Sequence, residues 1–179
     1  MLRKFIQGWK KDEEGVAAIE FALMAIPYVF LSIGIIELSI TYATGALLEG
    51  ATSSAARMIR TGELQQSGST DPAETFRTAL CDYAAVMIQC DDVQIEVVTL
   101  DSYSNYSDYN VSYDEDGQMI SHGFDAGSTN DKVLIRAAYR YRMMTPFIGQ
   151  LLAGPDNTIQ FISTIVLQTE PYETEDEST

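Results

Sequence analysis

Residues Val16 to Leu38, VAAIEFALMAIPYVFLSIGIIEL, form a run of 23 residues in which only Glu20 and Glu37 carry charge. As a helix rising about 1.5 Å per residue, the run is about 35 Å long, enough to cross a hydrocarbon core of about 30 Å. The sixteen residues between the two glutamates are too few to cross alone, so at least one carboxyl lies in or near hydrocarbon. Any fold for this chain has to account for that.

Arg3, Lys4, Lys10 and Lys11 precede the run, and the next basic residue after it is Arg57. The positive-inside rule therefore puts Met1 to Gly15 in the cytoplasm and the C-terminal part outside. Four of the 11 basic and three of the 26 acidic residues precede Val16, which leaves seven against 23 beyond it and a charge of −16 there. Such a domain repels phosphate backbones and anionic lipid, so nucleic acid is not an expected partner. A cleaved secretory signal is the main alternative for the run. Its apolar region is usually shorter, however, and Thr44 and Ala46 match a small-x-small cleavage site only loosely.

Leu47, Leu48, Ala51, Ala55, Met58 and Ile59 recur at three-and-four spacing beyond the span, so one helix is expected from about Val16 to Thr61, first as a membrane segment and then as a stalk. Gly62 supplies its stop. Pro27, Gly34, Gly45 and Gly50 mark places for a kink or a close approach, or are simply tolerated within the helix.

A carboxyl at mid-membrane costs about 2.5 to 3.5 kcal/mol on insertion scales, so Glu20 needs a partner or water. Peptide cleavage after Gly15 would create an amino group on Val16, with which Glu20 of a neighbouring copy could pair. Such a pair favours one axial register between subunits. Without cleavage, the chain is a plain anchor whose Glu20 snorkels to the interface.

Gly15, Val16-Ala17-Ala18-Ile19 and Glu20-Phe21, after a leader containing Lys10-Lys11-Asp12-Glu13-Glu14, resemble the TadE-like pseudopilins of the tight adherence (Flp-type) type IV pilus systems. Thr145-Pro146, the strand-like Ile159 to Leu167 and Glu170-Pro171 resemble that family's C-terminal segment, with Thr169 where an asparagine is usual. The resemblance implies cutting by a prepilin peptidase between Gly15 and Val16, with Glu20-Phe21 as the assembly motif. The partners it implies are that peptidase, other pseudopilins, the major Flp pilin and the pilus assembly platform with its motor ATPase. The implied place is the inner membrane, with one pass and possible entry into the pilus.

For the rest, the expected class is α+β: a long membrane-spanning helix followed by a small domain of helix on antiparallel sheet from residue 62 to 172, then an acidic tail over 173–179 without fixed structure. Asp71-Pro72-Ala73-Glu74 is a helix start, with Phe76, Leu80, Tyr83, Ala84 and Met87 on one apolar face. Val93–Leu100, Val133–Arg142 and Thr158–Gln168 are strand-like. Cys81 and Cys90, in an exported domain, are expected to form a disulfide. An unbroken helix would hold them about 13.5 Å apart, so a break is expected near Ile88 to Gln89.

The segment from Asp101 to Asp131, rich in Ser, Asn, Asp and Tyr, reads as a hairpin or long surface loop with a tight turn at Asp116-Gly117. Tyr103, Tyr106, Tyr109 and Tyr113 offer either a contact surface or local packing. Asp114, Glu115 and Asp116 raise the question of calcium, but Gly123 stands where a Ca-binding loop needs its last glutamate, and a solvated turn is the expected reading. His122 lies in that loop with no nucleophile motif or metal-ligand cluster beside it in sequence, so neither catalysis nor a cofactor is expected. Two functional readings remain besides the pilus one: an uncleaved, membrane-tethered envelope binding protein, and a secreted hydrolase.

Overall fold

The computed structural model describes residues 14–172; the expected cytoplasmic leader and the acidic tail fall largely or wholly outside the described residues. Helix α1 is Glu14–Arg60, and it passes Pro27, Gly34, Gly45 and Gly50 without losing helical structure. The chain divides into two compact units, Met1–Ile40 and Thr41–Thr179. The second half of α1 therefore belongs to the C-terminal unit, where its stripe of Leu48, Ala51, Ala55, Ala56 and Ile59 is buried.

That unit is α+β, as the alternation of apolar residues predicts. Short helix α2 (Glu63–Gln66) and helix α3 (Pro72–Ala84) precede strand β1 (Gln94–Leu100). Strand β2 (Lys132–Arg142), helix α4 (Pro146–Ala153) and strand β3 (Thr158–Gln168) follow. The sheet has the order β1-β2-β3 and is antiparallel throughout. Its register runs from Gln94 opposite Ala138 to Leu100 opposite Lys132, and from Lys132 opposite Gln168 to Arg142 opposite Thr158.

Alternate residues of a strand point to opposite faces. One face of β2 carries Val133, Ile135, Ala137, Tyr139 and Tyr141. It meets the helices, because Phe161, opposite Tyr139, lies against both Tyr141 and Gly45 of α1. Gly45 admits the Phe161 ring, and Gly50 admits that of Tyr83; a Cβ at either would sit 3.1 to 3.2 Å from ring carbons. Close approach is thus the role of these two glycines. Helix α3 begins as expected, with the Asp71 carboxylate accepting from Glu74 N at 3.0 Å and Pro72 at the first position. It buries Phe76, Leu80 and Ala84, while Tyr83 and Met87 stay largely exposed.

Gly62 ends α1 in the left-handed conformation (φ 74°), and the ring of Tyr172 lies over its Cα. The same C-terminal segment satisfies a carbonyl that the helix end leaves open: Glu170 N donates to Arg60 O at 2.7 Å, and the two side chains pair at 3.2 Å. Thr169 is buried and its hydroxyl donates to Ser128 O. Burial, and secondarily the charge of Asp131, raise the Tyr172 hydroxyl above its ordinary value of 10.0. The neutral phenol is the form the fold favours, so its contribution is complete below pH 10.0 and is lost as pH rises through the raised value.

Gly62→Ala should therefore destabilise the full-length protein by about 2 kcal/mol or more, since it adds a collision with Tyr172 to the cost of positive φ. Gly68→Ala, at φ 63° with nothing near its missing Cβ, should cost only about 1 kcal/mol. Thermal unfolding of the two variants in detergent, followed by circular dichroism, checks the difference; equal midpoints would remove the role given to the Tyr172 ring.

Candidate functional site

Apolar side chains project from α1 in every direction between Val16 and Leu38. Phe21 is 75% exposed and Met24 76%, and Val16, Ile19, Leu23, Ile26, Tyr28 and Leu31 are also exposed. A helix apolar around its whole circumference has no stable surface in water. The two serine hydroxyls are satisfied within the helix, Ser32 Oγ donating to Tyr28 O and Ser39 Oγ to Ile35 O. The segment is long and apolar enough to cross a membrane.

Gly15 and Val16 are in the first described turns of this helix, and nothing crowds Gly15. Glu20 follows Val16 by one turn on the same side and is exposed, with no hydrogen bond or ion pair among the described residues. Phe21 is beside it, also exposed. The four residues thus form one accessible stretch of helix, with a single carboxyl in an otherwise apolar surface.

The paired cysteines are joined: Cys81 and Cys90 form a disulfide with Cα atoms 5.8 Å apart. The expected helix break occurs earlier than Ile88, since α3 ends at Ala84. Met87 N and Ile88 N bond to Ala84 O in one further turn, and Gln89 beyond it is extended (φ −80°, ψ 111°), so the chain leaves the helix with Ile88 buried. Arg77 reinforces the clamp by donating from Nη1 to Cys90 O and Val93 O at 3.1 and 3.0 Å.

The second face of the sheet is where the structure departs most from the expected long surface loop. Residues from Tyr103 to His122 lie over it. Tyr109 packs against Val98, Leu100 and Leu134. Tyr106 stacks 5.8 Å from the Arg136 guanidinium, and Lys132 Nζ is 6.0 Å from the Tyr103 ring. Three of the four tyrosines therefore serve local packing, and Tyr113 is half-exposed in a two-residue bridge with Met119. The expected tight turn is present, with Gly117 at φ 73° and its N–H on Asp114 O, Gln118 N donating to Asp114 Oδ1, and Asp114 N donating to Gln118 O.

Beneath the loop, Glu96 and Arg136 face each other across β1 and β2, Arg136 Nη1 being 3.4 Å from Glu96 Oε2. Both are buried, at 0% and 1% exposure. Arg136 Nη2 also donates to Tyr109 O at 2.6 Å, and His122 Nδ1 lies 2.9 Å from Glu96 Oε1. By alternation Arg136 shares its side of the strand with Arg140 and Arg142, which does not announce its burial, and nothing in the sequence around Glu96 marks it. The available signal was that Leu134 and Ala138 flank Arg136 on that same side, which an open face would not need. The arrangement holds the loop in place. Among the described residues no group of three or more His, Cys, Asp or Glu is set to hold a metal ion.

Removing one member of a buried ion pair strands the other, at a cost of about 3 to 5 kcal/mol. Arg136→Ala should lower stability by that amount, whereas Arg142→Ala, exposed at the end of the same strand, should change it by less than about 0.5 kcal/mol. Urea unfolding of the detergent-solubilised chain measures both, and a small loss at Arg136 would show the pair to be dispensable.

Residues 15–57 match the family model described as TadE-like protein. The match begins at Gly15, covers the whole apolar segment and ends within the last turn of α1. No curated protein and no solved structure matches the chain.

Proposed function

From a chain whose N-terminal helix is that of a TadE-like protein, we propose a minor pseudopilin that helps start or shape Flp-type pili. The observation that carries this reading is the helix from Val16 to Leu38, apolar on all sides yet bearing an exposed carboxyl at Glu20. A membrane anchor needs only the apolar surface, and the carboxyl would then be a cost with no return.

In the proposed sequence of events the chain inserts with its basic end in the cytoplasm. A prepilin peptidase cuts between Gly15 and Val16. The new amino group and Glu20 then bring opposite charges to helix surfaces that otherwise cannot tell one axial register from another. Pairing between neighbouring subunits selects that register and recruits other pseudopilins and the major pilin to the assembly platform. The protein's action is recruitment, not chemistry, and the outer domain is carried on the same helix.

Determining the N-terminus of the mature protein in host membranes, with and without the prepilin peptidase, tests this directly. A start at Val16 that depends on the peptidase is expected. A start at Met1 in both would leave an uncleaved, single-pass envelope protein and remove the assembly mechanism. Glu20→Ala should still be cut but should reduce surface piliation by tenfold or more; full piliation in that variant would refute the pairing step.

A further inference from the structure

The second half of α1 and strand β3 run side by side in the same direction: the Phe161 ring lies over Gly45, and Glu170 N donates to Arg60 O. Phe161 is three residues, about 10 Å, beyond Thr158, and Gly45 is four residues, about 6 Å, beyond Thr41. The start of β3 is therefore at the Thr41 end of the C-terminal unit. Helix α4 joins β2 to β3 at this same end and is packed across it. Gly149 closes on Met143 and Asn157, which in turn are tied to each other, Met143 N donating to Asn157 O at 3.0 Å and Asn157 Nδ2 to Met143 O at 2.7 Å. Helix α4 thus forms the end of the unit at which the chain enters, through Ile40, from the apolar segment.

The outward side of α4 is apolar. Ile148 and Gly149 face inward, while Leu151 is 74% exposed, Phe147 70% and Met144, just before the helix, 70%. Phe147 and Leu151 are one turn apart on the same side. These exposures match those of Phe21 and Met24, which belong to the segment long and apolar enough to cross a membrane. From Met143 to Pro155 no residue carries charge, in a unit otherwise dense in carboxylates. The flanking charges are one of each sign, Arg142 and Asp156, so the face suits a zwitterionic surface and has no need of anionic lipid. An apolar helix face of this kind is a liability in water and is stabilised at the boundary between headgroups and hydrocarbon.

We propose that α4 is a second membrane contact, its Phe147 and Leu151 side lying in the interface of the bilayer that holds α1, against zwitterionic lipid. The proposal rests on the apolar segment of α1 being in a membrane; it needs neither cleavage after Gly15 nor pilus assembly. Position and tethering favour lipid over a protein occupant. The face belongs to the end of the unit that the membrane segment enters. The anchor keeps it beside the bilayer, so a helix of eight residues, too small to hold a membrane alone, acts at high effective concentration. The outer domain is then held at the bilayer surface by two points instead of one, and a subunit drawn out of the membrane has to release the second.

The test uses the full-length chain in phosphatidylcholine vesicles. Both native cysteines are in the disulfide, so an introduced thiol is unique. A polarity-sensitive fluorophore is attached to Gln150→Cys, beside Leu151 on the exposed side of α4, to Thr78→Cys, exposed on α3, or to Met24→Cys in the apolar segment. Lipid carrying a nitroxide near its headgroup should quench the Gln150→Cys label by about half or more and leave the Thr78→Cys label bright. Lipid with the nitroxide deep in its chains should quench the Met24→Cys label. Adding Leu151→Asp should restore the Gln150→Cys emission, with the circular dichroism spectrum unchanged and Met24→Cys still quenched. A bright Gln150→Cys label together with a quenched Met24→Cys label would overturn the proposal, keep α1 in the membrane and leave the face to a protein partner. Bright labels at both positions would remove the membrane reading and the proposal with it. Quenching at Gln150→Cys that survives Leu151→Asp, or that Thr78→Cys equals, would trace it to the dye and overturn the proposal as well.

Discussion

Strand β2 is buried along both faces from Val133 to Tyr139, and the rest of the C-terminal unit is organised by the need to cover it. A three-stranded sheet has too little area to stand alone in water. On one side the cover is helical: the second half of α1 and the face of α3, fitted at Gly45 and Gly50 where a side chain would hold them off. On the other side there is no α-helix among the described residues, only the short 3-10 helix Tyr103–Asp108. The cover there is a polar segment, and polar segments make poor lids unless anchored. Tyrosines supply the apolar bodies, and the pair Glu96–Arg136, with His122 and the Tyr109 carbonyl, supplies the polar contacts. The pair is costly to bury, but once the loop covers it each charge is indispensable to the other.

Helix α1 is built for two different surroundings. Up to Ile36 it is apolar around its circumference apart from Glu20, and its own unit leaves most of it bare. Beyond Thr41 the apolar residues narrow to a stripe, Leu48, Ala51, Ala55 and Ile59, with Glu49, Ser53, Ser54 and Arg57 on the exposed side. The change in pattern occurs where the chain divides into units. A single helix thus carries a segment long and apolar enough to cross a membrane and forms the spine of a folded domain, and the C-terminal segment fixes its end: Tyr172 lies over Gly62 and Glu170 on Arg60.

Features set by short-range pattern were legible in the sequence. The apolar run, the Asp71-Pro72 helix start, the stop at Gly62 and the three strands were found with ends within about one or two residues, because caps and periodicities act over one or two turns. The cysteine pairing was legible from the exported setting, and geometry then required a break in the helix; regular helix ends at Ala84, a turn before the place expected. What stayed hidden depends on contacts distant in sequence. Arg136 looks solvent-facing until Tyr106 and Tyr109 are laid over it. The approach of Phe161 to Gly45 joins residues at opposite ends of the chain, and nothing local marks that glycine over Gly34. Of the candidate site, the residue types at Gly15, Val16, Glu20 and Phe21 were legible, and the structure adds that all lie accessible along one helix.

Under the proposed assembly, these two parts of the chain divide the task of association in a way that follows from their solvents. In hydrocarbon, the side chains of Phe21, Leu23 or Ile26 gain little by exchanging lipid for a neighbouring helix, so apolar surface alone selects neither partner nor register. A carboxyl such as Glu20 does discriminate, because an unpaired charge there is penalised and a paired one is not, but it recognises any helix that offers a cation at the right height. That makes it suited to a shared mechanism among related subunits and unsuited to choosing between them. Under the proposed assembly that choice falls to the outer domain, where shape and backbone hydrogen bonding are read against water.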